Sequence, residues 1–97
     1  MTTHISLINW TDQGIKRYRE SVARANAANE LAGKFGGRMT STWWTIGPYD
    51  LVAVTEFPDD ESATAFALAL GASGNVRTTT MRAFGADEMS AIIARIG

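Results

Sequence analysis

The sequence predicts an α+β fold in which two helices cover one face of a four-stranded antiparallel sheet, with a third helix at the C-terminus. Two observations predict this fold. Segments rich in β-branched and aromatic residues alternate with helical segments in the order strand, helix, strand, strand, helix, strand. Glycine, proline or helix-capping residues mark the boundaries between them. This order is a split βαβ unit repeated, the ferredoxin-like βαββαβ plan.

The first half of the chain predicts a strand followed by one long helix. Residues 3–10, THISLINW, alternate in the manner of a strand. Residues 11–37 are predicted to form a helix that Thr11 or Asp12 caps and that Gly36 and Gly37 end. Its apolar residues recur at three- and four-residue steps, which predicts one packed stripe: Ile15, Tyr18, Val22, Ala25, Ala28, Ala32 and Phe35.

The second half predicts a hairpin, a helix, a strand and a final helix. The hairpin strands are RMTSTWWTI (38–46) and LVAVTEF (51–57). The following helix, 58–73, begins after Pro58, with Asp59 or Asp60 as its cap. NVRTTTMRAF (75–84) is the fourth strand, and ADEMSAIIARI (86–96) is a short amphipathic helix.

Composition excludes several classes of function. The 97 residues predict a single domain over 1–97, and the net charge of −1 provides no basic field for nucleic acid. The chain has no Cys and one His, which excludes disulfides, zinc–thiolate sites and any multi-His metal site within one chain. We expect no metal and no cofactor. No apolar run is long enough to span a membrane and no signal peptide is evident, so we expect a cytoplasmic protein.

The second face of the sheet also carries apolar residues. Val52 and Val54 point away from Leu51 and Ala53, and the adjacent Trp43 and Trp44 must point to opposite faces. An uncovered apolar face usually marks an interface. We therefore expect two copies to pack sheet against sheet, either as a homodimer or within a higher homo-oligomer such as a trimer of dimers, which the sequence does not distinguish. The space between the sheets could hold a small organic ligand or be filled as a plain interface; the candidate lining residues are His4, Ser6, Asn9, Thr42, Thr78, Thr80 and one of the two Trp residues.

Three blocks of sequence resemble the GYD-domain family: SLINWTDQGI, WTIGPYDLVAVTEFPDDESA and NVRTTTMRAF. The family motif is Gly47, a variable residue (here Pro48), Tyr49 and Asp50, and the resemblance covers about residues 3–96. It implies a small bacterial or archaeal protein of unassigned function with the dimeric α/β-barrel fold. That superfamily also holds cofactor-free monooxygenases and haem-degrading enzymes, but a shared fold alone does not transfer a reaction.

The candidate site residues fall into two groups. The monooxygenases of the superfamily use Asn, Trp and His in their cavity, so the resemblance makes His4, Asn9, Trp43 and Trp44 candidates for catalysis. Candidates for ligand binding are Tyr49, Asp50, Thr78, Thr80 and Arg82. Of these, Tyr49 could lie at the mouth of a barrel, and either Arg82 or Arg77 could reach an anion or a carboxylate such as Asp50 or Glu56. We also expect Gly47 to Asp50 to form a type I turn.

Two functions are compatible with these features. The first is a small dimeric binding or interaction module, which the single His and the lack of a convergent catalytic constellation favour. The second is a cofactor-independent, monooxygenase-like enzyme acting on an aromatic or polycyclic substrate. A pocket that joined His4, Asn9 and a Trp would favour the enzyme, and a dry interface would favour the binding module.

Overall fold

A computed structural model describes residues 1–97 of the chain. The elements are β1 (Thr2–Trp10), α1 (Asp12–Lys16), α2 (Ser21–Lys34), β2 (Arg38–Trp44), β3 (Leu51–Phe57), α3 (Asp60–Ala72), β4 (Val76–Ala83) and α4 (Ala86–Ala94). The four strands form one antiparallel sheet in the order β2-β3-β1-β4. The α+β, ferredoxin-like fold predicted from the sequence is therefore confirmed.

The core lies between the sheet and the two long helices. Helix α2 packs over β2, and α3 packs over β3 and β4. Phe57 has no exposed surface, and its ring centroid lies 5.2 Å from that of Phe66 on α3. Ala32 and Ala63 are buried beside them, so small residues bring both helices close to the sheet.

The single helix predicted for residues 11–37 is wrong. Helix α1 ends at Lys16, because the next residue, Arg17, has a φ of −111° and a ψ of 38°, which are not helical. A 3₁₀ turn over Tyr18–Glu20 follows, and α2 then begins. The cause is the docking of α1 on the turn between α3 and β4. Thr11 donates from its N to the Asn75 carbonyl at 3.1 Å, and a Cβ on Gly14 would overlap the same carbonyl group. The chain must then change direction to lay α2 along the sheet.

This break also changes which side chains are packed. Ala28 and Ala32 are buried as the predicted stripe requires, but Ile15, Tyr18 and Val22 are exposed. Ile15 and Tyr18 precede α2, on α1 and on the 3₁₀ turn, while the buried side of α2 begins at Ser21 and leaves the next residue, Val22, beside it. Those three side chains therefore lie on the surface.

The two later helices begin as predicted, but α3 has buried residues and α4 has none. Asp59 caps α3 by accepting a hydrogen bond from the Ser62 N at 2.8 Å. Helix α4 has no buried residue, and Met89, Ile93 and Ile96 beyond its end are exposed. The molecule is elongated, with principal extents of 52 × 30 × 18 Å. None of its helices combines the length and the apolar character that crossing a membrane requires.

Candidate functional site

The face of the sheet opposite α2 and α3 carries an uncovered apolar surface, which we call the open sheet face. Its residues follow from the pairing register, because residues directly opposite each other on neighbouring strands share a face. Leu7 pairs with Val52 and Thr79, and Ile5 pairs with Val54 and Met81. These pairs give two rows across the sheet: Trp43, Val52, Leu7 and Thr79 in one, and Ser41, Val54, Ile5 and Met81 in the other. Trp43 is 66% exposed and Met81 is 44% exposed.

Polar side chains border these rows at both ends of the sheet. At one end Arg38 pairs with Glu56, with Nη2 and Oε1 2.9 Å apart. At the other end Asn9 pairs in register with Arg77. An apolar centre with a charged and amide-bearing rim is the usual composition of a protein–protein interface.

The structure does not bring the four catalytic candidates together. His4 and Trp44 lie on the helix-covered face: His4 is buried, and Trp44 donates from Nε1 to Ser21 Oγ at 2.8 Å. Asn9 and Trp43 lie on the open sheet face, as the register requires. The sheet itself therefore separates the His and one Trp from the Asn and the other Trp.

The predicted lining of the open sheet face needs the same correction. Ser6 is buried on the helix side and pairs with Thr80, their hydroxyl oxygens 2.9 Å apart. Thr78 pairs with the buried Ile8, so it also lies on the helix side, as does Thr42, which pairs with the buried Ala53. Both faces of the strands carry apolar residues, so the sequence pattern could not tell which face the helices cover.

His4 lies in a cluster of ionisable side chains at the start of α3. Its Nε2 lies 3.3 Å from Asp60 Oδ1, and its Nδ1 is enclosed without a hydrogen-bond partner. Arg82, directly across from His4 on β4, approaches the same Asp60 oxygen with Nε at 3.7 Å. No group of three or more His, Asp or Glu side chains is placed to hold a metal ion.

Arg82 connects this cluster to α4 and does not reach the expected carboxylates. Its Nη2 lies 3.2 Å from Glu88 Oε2, and its guanidinium lies over the ring of Phe84, 4.4 Å from the centroid. Glu88 also accepts from the backbone N of Gly85. That hydrogen bond, followed by the one from Arg82, holds the pKa of Glu88 below its ordinary value. The arrangement ties α3, α4 and two strands together.

The GPYD segment connects β2 to β3, where we expected a type I turn from Gly47 to Asp50. The Asp50 N donates to Ile8 O at 2.9 Å, so the hydrogen bond from Asp50 N to Gly47 O that closes such a turn is not formed. Thr45 closes the loop instead, donating from N to Asp50 O and from Oγ1 to Tyr49 O. Asp50 Oδ2 accepts from the Trp10 N at 2.9 Å. Gly47 has a φ of 148°, which favours glycine.

A cavity that the sequence pattern did not indicate lies between α2, α3 and the sheet, and we call it the helix–sheet cavity. Its volume is about 290 Å³, and 11 of its 16 lining residues are hydrophobic. Ile8, Trp10, Leu51 and Val76 contribute from the sheet. Ala25 and Ala28 face it from α2 and Ala69 from α3, and these short side chains leave the space open.

The lining of the helix–sheet cavity contains one cation and no acidic residue. The cation is Arg24, which lies three residues after Ser21 and four before Ala28 on the packed side of α2. A basic residue on the buried stripe of a helix is a signal that the sequence already carried. The stripe predicted from the sequence was defined by its apolar residues alone and therefore did not include Arg24.

Three comparisons with known proteins agree with the family resemblance and with the fold. A family model described as the GYD domain matches residues 4–93. A protein of Thermus thermophilus, named "Glutamine synthetase and cystathionine beta-lyase binding protein", is 33% identical over 97 residues, covering 99% of each chain. The crystal structure of TTHA0845, also from Thermus thermophilus, matches with a TM-score of 0.56 at 27% identity, over 89% of this chain and 96% of that chain.

Proposed function

Because the chain belongs to the GYD-domain family, we propose that it is a protein-binding module that forms a homodimer through its open sheet face. The observation that carries the homodimer is the apolar double row centred on Ile5, Leu7, Val52 and Val54, with its polar rim. The Thermus relative is named for binding two enzymes, which supports a binding role here. We propose an enzyme of the same kind, glutamine synthetase or cystathionine β-lyase, as the partner of the dimer.

The total surface of the chain supports a missing partner. A compact protein of 10.5 kDa is expected to expose about 5,400 Å². This chain exposes 6406 Å², an excess of about 1,000 Å². One side of a standard protein–protein interface buries about 800 Å², so the excess is of the size that one such contact would remove. The radius of gyration, 14.5 Å, likewise exceeds the roughly 12.5 Å expected for this length.

A dry contact between two open sheet faces explains this excess of exposed surface better than a ligand cavity between the two sheets does. Such a cavity needs polar groups that fix a ligand, and five of the seven expected lining positions are on the opposite face of the sheet, the one that the helices pack against: His4, Ser6, Thr42, Thr78 and Thr80. The residues that remain at the centre are mostly aliphatic. We therefore propose a dry interface between the two sheets.

The same placement disfavours a monooxygenase-like enzyme. That chemistry requires His, Asn and Trp side chains around one substrate. Here His4 and Asn9 lie on opposite faces of β1, and neither lines the helix–sheet cavity. A binding module therefore accounts for the same residues without needing them to converge.

Sedimentation velocity tests the homodimer. We expect the wild-type chain to sediment as a dimer at micromolar concentration and Val54→Glu to sediment as a folded monomer. Leu68→Glu is the matched control, because it also replaces an aliphatic side chain by a carboxylate. Leu68 is 71% exposed on α3, away from the open sheet face. A monomeric wild type, or loss of the dimer in both variants, would contradict the proposal. Far-ultraviolet circular dichroism checks that each variant is folded.

Biolayer interferometry tests the enzyme partner. Purified glutamine synthetase and cystathionine β-lyase from the source organism of this chain are immobilised, and the wild-type dimer is titrated against each. We expect saturable binding to at least one of them. Absence of binding to both would contradict the partner class and leave the sedimentation result to decide the homodimer separately.

A further inference from the structure

The helix–sheet cavity has the size and the apolar walls of a site for a small organic molecule. An enclosed apolar cavity of roughly 150 Å³ is already sufficient to bind benzene, and ligand sites begin near 300 Å³. This cavity, which is partly open to solvent, has a volume of about 290 Å³ and room for a chain of about eight to ten carbons. Its walls come from Ile8, Trp10, Leu31, Leu51, Leu70 and Val76.

On the polar side of the cavity, one guanidinium nitrogen of Arg24 lacks a hydrogen-bond acceptor. Arg24 donates from Nη2 to the Gly14 carbonyl at 3.0 Å, while its Nη1 is enclosed by protein without any hydrogen-bond partner. Arg24 takes part in none of the four ion pairs of the molecule, and no carboxylate lines the cavity. An enclosed guanidinium nitrogen without an acceptor is costly. Because Nη1 has almost no accessible surface, rotation of the guanidinium toward the cavity is what would bring it to an anion there.

A second donor lies on the same side of α2. Ser21 is buried in the cavity wall, and its Oγ accepts from Trp44 Nε1 at 2.8 Å. Its own hydroxyl hydrogen has no acceptor in the structure. Because Ser21 and Arg24 are three residues apart on a helix, they lie on neighbouring positions of one face. A single carboxylate could accept from both after a small rotation of the guanidinium.

We propose that the helix–sheet cavity binds a small monocarboxylic acid with an apolar body, its carboxylate on Arg24 and Ser21 and its hydrocarbon between the alanines of α2 and α3. This site goes beyond the proposed function and does not depend on it, because it lies within one protomer on the face away from the open sheet face. The carboxylate supplies the charge that the lining lacks, and the alkyl or aryl body fills the apolar space.

Isothermal titration with two probes tests the proposal. Octanoate and octan-1-ol have the same hydrocarbon chain, but only octanoate carries a negative charge. We expect octanoate to bind the wild type at least about tenfold more tightly than octan-1-ol, the difference that one charge-assisted hydrogen bond provides. Equal affinities for the two probes, or no binding of either, would overturn the proposal.

Three variants locate the site. Arg24→Gln should weaken octanoate binding at least about tenfold and leave octan-1-ol binding unchanged, which also shows that the variant is folded. Arg95→Gln, which removes the same charge at the end of α4 outside the cavity, should bind both probes like the wild type. Ala69→Leu should weaken both probes by filling the space. Equal octanoate binding by Arg24→Gln and Arg95→Gln would refute the role of Arg24.

Discussion

Replacing Gly14 by Ala should destabilise the protein, although alanine is the better helix former. Gly14 lies inside α1, where alanine is ordinarily favoured over glycine by about 1 kcal/mol. Here a Cβ would overlap the carbonyl oxygen of Asn75 and lie 2.9 Å from its carbonyl carbon and 3.2 Å from its Cα. These are backbone atoms, so α1 or the turn between α3 and β4 would have to move.

The size of the effect follows from these opposing contributions. Forcing a group into a packed site costs about 1–3 kcal/mol, and the helix preference recovers up to about 1 kcal/mol. We therefore expect Gly14→Ala to lower the free energy of unfolding by about 1–2 kcal/mol. Gly33 supplies the control, because it lies in α2 with nothing within 4 Å of an added Cβ. Gly33→Ala should raise the free energy of unfolding by about 0.5–1 kcal/mol.

Urea unfolding followed by tryptophan fluorescence at one fixed protein concentration measures both variants. With a slope of about 1.5 kcal/mol per molar urea, the two midpoints should differ by about 1 M or more, with the wild type between them. If both variants shift the midpoint in the same direction, the docking of Gly14 on Asn75 does not explain the break between α1 and α2.

Three further predictions concern the core, the helix-covered face of the sheet and the start of α3. Phe57→Ala should cost about 3–5 kcal/mol in urea unfolding, because Phe57 is fully buried against Phe66. Trp44→Phe and Ser21→Ala should each lower the free energy of unfolding by about 0.5–1.5 kcal/mol. The double variant should lower it by less than the sum of the two, since both substitutions remove the same hydrogen bond. Hydrogen bonds from Ser62, from its side chain and then its backbone N–H, lower the pKa of Asp59 below 3.8. Asp59 therefore stabilises the fold above pH 3.8, and this contribution is lost as the pH falls through the lowered pKa. The urea midpoint of Asp59→Asn should fall less steeply with acid over that range than that of the wild type.

The order of the elements could be predicted from the sequence because each boundary carries its own local signal. Gly36, with a φ of 78°, ends the first helical region, and Asp59 caps α3. Residues of this kind act on the backbone next to them, so they can be recognised without knowing the fold. The break after α1 depends instead on a contact between Gly14 and Asn75, which are 61 positions apart. No local pattern reports such a contact.

The candidate site was harder to predict for a related reason. Strand alternation puts His4 and Asn9, five positions apart, on opposite faces of β1, so the prediction that both line one space was wrong. Alternation does not say which face receives the helices when both faces carry apolar residues. That choice depends on the pairing of Ser6 with Thr80 and on the packing of α3 over β4. The helix–sheet cavity depends on the distance between α2 and α3, which is set by tertiary packing. Arg24 could have been noticed from its place on the buried stripe.

The proposed homodimer requires that the open sheet face join two copies of this chain. The most direct test is an isotope-filtered nuclear Overhauser experiment on a mixture of ¹³C-labelled and unlabelled chains. We predict contacts between protomers from the methyl groups of Ile5, Leu7, Val52 and Val54. Contacts between protomers that arise only from α4 or from the exposed side of α2, or no such contacts at concentrations where the chain is a dimer, would contradict it.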